Sequence, residues 1–235
     1  MQSLYDSFVL NFVKDDRWRY LTNGLTVTLK LTFFAVLLGL VIGFVIAMVR
    51  STYENTGKLK ILNALCGLYL TVIRGTPVVV QLMIIYFVIF GSVRIDKSFV
   101  AILAFGINSG AYQAEIFRSG IQSIPKGQFE AGRSLGFTYG QTMTNIIMPQ
   151  AFRNVIPTLA NEFIVLLKET SVAGYIALED LTKGGDIIRS RTYSAFMPLM
   201  AVAIIYLVLV MVFSRGVKYL ERRLRQNEHT RSTGK

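Results

Sequence analysis

Residues 124–149 read IPKGQFEAGRSLGFTYGQTMTNIIMP, a polar stretch that separates two long apolar parts of the chain. Glycine recurs at every fourth position in its middle, and glycine at such positions bends or ends a helix. Thr138, with Gln141 three residues later, has the spacing of a capping box, which begins a new helix. The stretch therefore predicts two short helices with a kink near Gly136.

Charged side chains decide where this polar stretch lies relative to a membrane. Lys126, Glu130 and Arg133 are costly to place in hydrocarbon, so we expect the stretch at a membrane surface, where it presents a face to a soluble partner. An ordinary solvated loop between two helices is the alternative interpretation.

The composition is that of a membrane protein. Of the 235 residues, 52% are hydrophobic, and the mean hydropathy of +0.47 is above that of soluble domains. A net charge of +11 would suggest nucleic acid for a soluble protein. Here the Lys and Arg residues lie at the ends of apolar runs, as the positive-inside rule predicts, so no nucleic-acid partner is expected.

Several kinds of site are excluded by residue type. Cys66 is the only cysteine and His229 the only histidine, so one chain has neither a disulfide framework nor the ligands of a metal cluster. The sequence contains no GxxxxGK[ST] motif, so ATP is not bound by a P-loop. We therefore expect no cofactor, no metal and no catalytic residue.

The apolar runs predict an all-α membrane protein with about five transmembrane helices. The runs cover residues 31–49, 61–93 with an interruption, 99–116, 151–167 and 195–214. Residues 1–22 are mixed and are expected to form an interfacial segment, while 226–235 are expected to be a disordered tail. The membrane domain is then 23–225, with the polar stretch 124–149 between its third and fourth helices.

The second apolar run is interrupted by Arg74-Gly75-Thr76-Pro77. A charge beside Gly and Pro at membrane depth predicts a broken helix whose freed backbone groups line a cavity. The alternative is a pair of separate short helices with Arg74 at the interface.

Two later helices carry polar faces. Asn108, Tyr112 and Glu115 follow helical spacing on one face, where Glu115 either takes part in function or pairs with Arg118 or Arg74. On the fourth helix, Glu162 is expected to face protein or water. Its carboxylate either binds the ammonium group or a basic side chain of a substrate, or forms an ion pair with Lys168 or Arg74, and both interpretations stay open.

The polar stretch contains a pattern that resembles the permease subunits of ABC importers. Glu130-Ala131, Gly136, Ile146 and Met148-Pro149 match the pattern EAA, three residues, G, nine residues, I-x-L-P. Gly132 replaces the second alanine and Met148 the leucine, both small or apolar changes that a surface helix tolerates. The resemblance implies that 124–149 is the coupling segment that seats in a cytoplasmic ATPase. The coupling residues it implies are Glu130, Ala131, Arg133, Gly136 and Pro149.

Two further stretches, IRGTP with Gln81 and NEFIVLLKETS, resemble the polar amino acid branch of these permeases. A zwitterion requires a cation near its carboxylate and an acceptor near its ammonium group, and Arg74 with Glu162 supplies both. A basic amino acid, glutamine and cystine all remain open as substrates. The candidate substrate-binding residues are Arg74, Thr76, Gln81, Asn108, Tyr112, Glu115, Asn161 and Glu162.

The resemblance implies a permease subunit of an ATP-driven amino acid importer in the bacterial inner membrane. Its implied partners are a pair of ATPase subunits, an extracytoplasmic amino acid-binding protein, and a second permease copy or a paralogue, within membrane lipid. The excess of Lys and Arg places the coupling segment and the C-terminus in the cytoplasm and the N-terminus outside.

A passive channel or a membrane enzyme is the rival interpretation. A channel has no use for the coupling pattern, and the expected spans contain neither the histidine nor the aspartate that an intramembrane enzyme would use.

Overall fold

The computed structural model of the protein describes the backbone of residues 4–232 and the side chains of residues 4–224. Every regular element in this part of the chain is a helix, so the predicted all-α fold is confirmed. The α-helices are α1 (Leu4–Phe8), α2 (Trp18–Thr56), α3 (Lys60–Gly75), α4 (Val78–Met83), α5 (Lys97–Gln122), α6 (Lys126–Ser134), α7 (Tyr139–Thr142), α8 (Met148–Glu169), α9 (Leu181–Thr192) and α10 (Phe196–Ser232).

Short helical turns of other types join these elements. Three are π-helical, Val9–Val13, Ile84–Ile89 and Met143–Ile147. Lys14–Asp16 and Thr170–Ile176 are 3₁₀-helical. The π-helical turns continue α1, continue α4 and connect α7 to α8, so the chain stays helical through each of these junctions.

Within the described residues, α2 and the Phe196–Leu224 part of α10 are long and apolar enough to cross a membrane. Helix α3 with Val78–Ile89 forms a further, broken candidate, bent by 107°. Helices α5 and α8, the expected third and fourth spans, are long enough, with 26 and 22 residues, but are too polar to be counted with them. Because α5 lies largely inside the bundle, its polar and small residues face protein and need not be apolar. The count of five spans therefore stays a prediction.

Helices α2 and α5 approach each other closely through glycine. Gly39 and Gly43 on α2 face α5, and Gly106 and Gly110 on α5 face α2. A Cβ atom on Gly43 would lie only 2.8 Å from the backbone nitrogen of Ala114. This pairing of two small-xxx-small motifs is a common way for helices to pack inside membranes.

The main core lies where α2, α4, α5 and α8 meet. Ala35, Leu82, Phe105 and Leu166, one from each helix, are fully buried in a single cluster. Because Leu82 belongs to α4, the helix that follows the break is fixed against the α2–α5 pair. The break therefore sits at a defined place in the bundle.

The N-terminal segment packs against the connection between α9 and α10. Asn11 is buried, and its side chain contacts the hydroxyls of Thr192 (2.8 Å) and Ser194 (3.4 Å) between α9 and α10. Leu4 and Phe8 remain exposed and apolar, as an interfacial segment requires.

The ends of the chain differ in part from the sequence-based expectation. Helix α2 already begins at Trp18, inside the segment 1–22 that was expected to be separate. At the other end, the expected tail 226–235 continues α10 as helix to Ser232. Residues 1–3 and 233–235 lie outside the described residues.

Helix α9 is held at its start by the Asp180 side chain, which accepts hydrogen bonds from the backbone nitrogens of Thr182 (3.0 Å) and Lys183 (3.1 Å). Further along, Asp186 pairs with Lys183 (2.9 Å) and Arg189 (2.6 Å). Hydrogen bonds from these two cations hold the pKa of Asp186 below its usual value.

We predict opposite effects for the same substitution at two glycines. Gly43→Ala places a methyl group against the α5 backbone, so we expect the unfolding free energy to fall by about 1–3 kcal/mol. Gly67→Ala in α3 meets nothing within 4 Å, and we expect unchanged or slightly raised stability, by up to about 1 kcal/mol. Thermal unfolding of the detergent-purified proteins measures both. Equal midpoints for the two variants would contradict the close α2–α5 contact.

Candidate functional site

The polar stretch folds as the capping pattern predicts. Helix α6 ends at Ser134, Gly136 adopts a left-handed conformation with φ of 79°, and α7 begins at Tyr139. The Thr138 hydroxyl accepts a hydrogen bond from the backbone nitrogen of Gln141, whose side chain accepts one from the Thr138 backbone. The two helices, the capping box and the kink at Gly136 are therefore all present.

Gly132 has a different environment from the one expected. It is buried where α6 meets the end of α7, rather than lying on an open surface. An added Cβ atom would come within 2.6 Å of the Thr142 methyl carbon and 2.7 Å of its hydroxyl oxygen. The glycine therefore allows the two short helices to approach each other closely.

The five predicted coupling residues are all exposed: Glu130, Ala131, Arg133, Gly136 and Pro149. Sequence reasoning missed two apolar neighbours at the turn, Leu135 and Phe137, whose exposed fractions are 71% and 37%. Apolar residues on both sides of a left-handed glycine, in an otherwise polar segment, are the signal that points to them. The turn thus presents apolar side chains beside charged ones.

At the break between α3 and α4, one side chain binds two of the freed carbonyl groups. The Gln81 amide nitrogen donates to the carbonyl oxygens of Ile73 (2.7 Å) and Thr76 (3.0 Å) and lies 2.7 Å from the Thr76 hydroxyl. Its oxygen accepts a hydrogen bond from buried Asn108 (2.9 Å). The broken helix is present, and Gln81 binds two of its freed carbonyl groups. That the other freed groups line a cavity stays a prediction.

We predict that Gln81→Leu destabilises the protein. The variant leaves the carbonyl groups of Ile73 and Thr76 without the amide donor and the buried Asn108 amide without its acceptor, so we expect a loss of about 1–3 kcal/mol in unfolding free energy. Gln128→Leu, at an exposed position in α6, is the matched control and should leave the unfolding midpoint within about 1 °C. A Gln81→Leu protein as stable as the wild type would show that water replaces the amide.

A cavity of about 460 Å³ brings four of the predicted substrate residues together: Arg74, Tyr112, Glu115 and Glu162. Arg74 enters it from the end of α3, Tyr112 and Glu115 from α5, and Glu162 from α8. Thr76, Gln81 and Asn108 instead form the hydrogen-bonded break, and Asn161 is an exposed residue of α8 outside the cavity lining.

Arg74 retains free hydrogen-bonding capacity. Its guanidinium carbon lies 5.7 Å from the centre of the Tyr112 ring, and its Nη1 is 3.8 Å from Glu115 Oε1. A separation of 3.8 Å permits charge attraction but not a hydrogen bond. Among the described residues, none accepts a hydrogen bond from the Arg74 guanidinium, so its donors are available to an anionic group in the cavity.

Glu162 is the second charged side chain on the cavity wall that is open to a ligand. Ser109 Oγ lies 3.5 Å from Glu162 Oε1, at the limit of hydrogen-bonding distance. The alternative reading gave Glu162 an ion pair with Lys168 or Arg74, and neither pair forms within the part of the chain that the structure describes. Its carboxylate is therefore open to a cationic group.

Glu115 is the most heavily paired carboxylate in the site. Its Oε2 accepts two hydrogen bonds from Arg118, at 3.0 and 2.9 Å. Its Oε1 lies 3.8 Å from Arg50 as well as from Arg74. Both partners expected from the sequence are present, and Arg50 is an additional one. Sequence reasoning used Arg50 only as a topological signal, although its position at the end of an apolar run matches the depth of Glu115.

Comparison with known proteins gives consistent matches. The family model described as binding-protein-dependent transport system inner membrane component matches residues 36–226. A putative glutamine transport system permease protein of Rickettsia typhi is 37% identical over 207 residues, which is 87% of this chain and 93% of that protein. The arginine transport system permease protein of Bacillus subtilis is 36% identical over 212 residues, 89% of this chain and 94% of that protein.

A solved structure is similar over the same length. The crystal structure of an amino acid ABC transporter with histidines has a TM-score of 0.83 and 40% sequence identity, and the match covers 95% of this chain and 100% of that one. The likeness therefore extends over the coupling segment and the cavity as well as the helical bundle.

Proposed function

Because the chain belongs to the family of binding-protein-dependent transport system inner membrane components, we propose that it forms the pathway through which an ATP-driven importer moves a polar amino acid. As a permease subunit it is a transporter component and not an enzyme. The family lies in the bacterial membrane and works with an ATPase and a substrate-binding protein, so ATP is hydrolysed by a separate subunit.

The observation that carries the amino acid proposal is the pair of open charges on the cavity wall. Arg74 offers hydrogen-bond donors to a carboxylate, and Glu162 offers an acceptor to an ammonium group. An α-amino acid carries both of these groups at neutral pH, so its backbone fits a site with one cation and one anion held apart. The Tyr112 ring beside Arg74 adds an apolar wall.

The side chain of the substrate is constrained only broadly. The similar permeases include one named for glutamine and one named for arginine. Glu115 is already paired with arginine, and Glu162 is needed for the backbone ammonium group. The cavity lining therefore does not demand a basic side chain, and a neutral polar one is equally compatible. We propose a polar amino acid, with glutamine, arginine and cystine as the ligands to test.

In this proposal the ATPase subunits bind residues 124–149, and their movement reaches the transmembrane helices through this segment. The exposed charges of α6 and the apolar side chains of Leu135 and Phe137 form a face that fits a groove in a soluble ATPase. Closure of an ATPase pair would move two such segments together and switch the helices between inward-open and outward-open states. The assembly we propose contains two permease copies, with the coupling segment and the C-terminus in the cytoplasm and the N-terminus outside.

We predict that Glu162→Gln impairs amino acid uptake. The amide has the shape of the carboxylate but lacks its charge, so we expect uptake at subsaturating concentration to fall by about tenfold or more, mostly through a higher KM. Glu169→Gln on the same helix lies outside the cavity lining and is the matched control. Uptake of labelled glutamine, arginine and cystine into proteoliposomes, with each as a competitor, measures both effects. Equal uptake by the two variants would remove Glu162 from the site.

We predict that Gly136→Ala weakens attachment of the ATPase. Alanine at φ of 79° is strained by about 1 kcal/mol or more, so the α6–α7 turn is expected to shift. Gly140→Ala in α7 meets nothing within 4 Å and needs no positive φ, so it serves as the control. The amount of ATPase that copurifies and the uptake rate should both fall only for Gly136→Ala. Full copurification and transport in that variant would contradict the coupling role.

A further inference from the structure

Four charged side chains of alternating sign connect the substrate cavity to the coupling segment. Arg74 at the cavity faces Glu115 at 3.8 Å, and Glu115 binds Arg118 at 2.9 Å. Arg118 Nη1 lies in turn 3.7 Å from Glu54 Oε1, near the end of α2. The series therefore crosses from α3 through α5 to α2.

The end of the series at Glu54 lies beside the coupling segment. Glu54 and Arg118 line a second cavity of about 570 Å³, whose other wall includes Lys126, Glu130 and Arg133 of α6. The Gln122 amide donates to Glu54 Oε2 at 3.2 Å. A change in the position of Glu54 or Arg118 therefore alters the charge that α6 faces.

The contacts in this series differ in strength, with one tight pair between two looser ones. Arg118 holds Glu115 with two hydrogen bonds, whereas the outer pairs, Arg74–Glu115 and Arg118–Glu54, are too long for hydrogen bonds. Side-chain exposures of 46% for Arg74 and 37% for Glu54 leave both outer pairs in contact with solvent. Such pairs contribute little to stability and exchange partners at little cost.

We propose that Glu54 and Arg118 are positioning residues that transmit the occupancy of Arg74 to the coupling segment. The inference rests on the proposed function, since it takes the ligand of Arg74 to be the carboxylate of an amino acid. When that carboxylate binds Arg74, Glu115 loses a share of its positive surroundings and is repelled by the new anion. Glu115 then depends more on Arg118, and Arg118 is drawn away from Glu54.

Release of Glu54 changes the coupling side of the molecule. The carboxylate at the end of α2 loses its cation and becomes available to the basic residues of α6, Lys126 and Arg133. The substrate thus favours one arrangement of α2 and α6 over another through a difference in ion pairing, which is the condition for any ligand to shift a two-state equilibrium.

The test uses the complete transporter, the permease with its ATPase and binding protein, in proteoliposomes. ATPase rates are measured without amino acid and across a concentration series of whichever of L-glutamine, L-arginine or L-cystine the wild type transports. For Glu54→Gln we expect the amino acid-stimulated rate to fall at least fivefold. The half-stimulating concentration should change less than twofold, because Glu54 does not line the substrate cavity.

Three further variants distinguish a role in transmitting the occupancy of Arg74 from a purely structural role. Asn55→Ala changes the neighbouring residue of the same cavity and should behave like the wild type, because among the described residues the Asn55 side chain bonds only to the Ser51 carbonyl of α2. Arg118→Lys keeps the positive charge but cannot form both hydrogen bonds to Glu115, so we expect an intermediate loss of the amino acid-stimulated ATPase rate. The double variant Glu54→Gln/Arg118→Lys should lose no more than Glu54→Gln alone, because both residues act in one series.

Two results would overturn the inference: normal stimulation in Glu54→Gln, or losses that multiply in the double variant. A higher half-stimulating concentration with an unchanged maximal rate would also overturn it, since that pattern assigns Glu54 to substrate binding. If the wild-type transporter neither transports nor is stimulated by any of the three amino acids, the proposed function is refuted instead.

Discussion

The rest of the structure depends on the close contact between α2 and α5. Inside a membrane, lipid is as apolar as a leucine side chain, so helices associate through close packing and polar contacts rather than by burying apolar surface. Gly39 and Gly43 on one helix and Gly106 and Gly110 on the other let the two backbones approach each other. Since α2 carries Arg50 and Glu54 and α5 carries Glu115 and Arg118, the same contact brings the charged cluster together.

The break between α3 and α4 solves a second problem of the membrane environment. A helix that breaks within a membrane leaves carbonyl groups without donors, and the Gln81 amide, anchored by Asn108, donates to two of them, those of Ile73 and Thr76. With these two carbonyl groups bound, the chain turns sharply and leaves the Arg74 side chain at the helix end, facing the cavity. The polar residues around the break thus divide into two groups, one that holds the turn and one that lines the cavity.

The contacts that could be predicted from the sequence are those between residues close together in the chain. The capping box at Thr138, the kink at Gly136 and the pairing of Glu115 with Arg118 all lie within a few residues, where local geometry decides which groups meet. The roles of Gln81 and Glu54 depend on contacts between distant parts of the chain, which periodicity does not reveal. The paired glycine motifs of α2 and α5 are visible in the sequence, but spacing alone does not say which helices they join.

The length of α2 has a consequence for how the two sides of the membrane are connected. At 1.5 Å per residue its 39 residues extend about 58 Å, nearly twice the roughly 30 Å of hydrocarbon. Near its start Gly24 lies against the backbone of Asp180, and near its end the Ser51 hydroxyl meets that of Tyr139 at 3.3 Å. Because α2 is one unbroken helix with a contact near each end, a tilt imposed at one membrane surface also moves the part of α2 at the other surface.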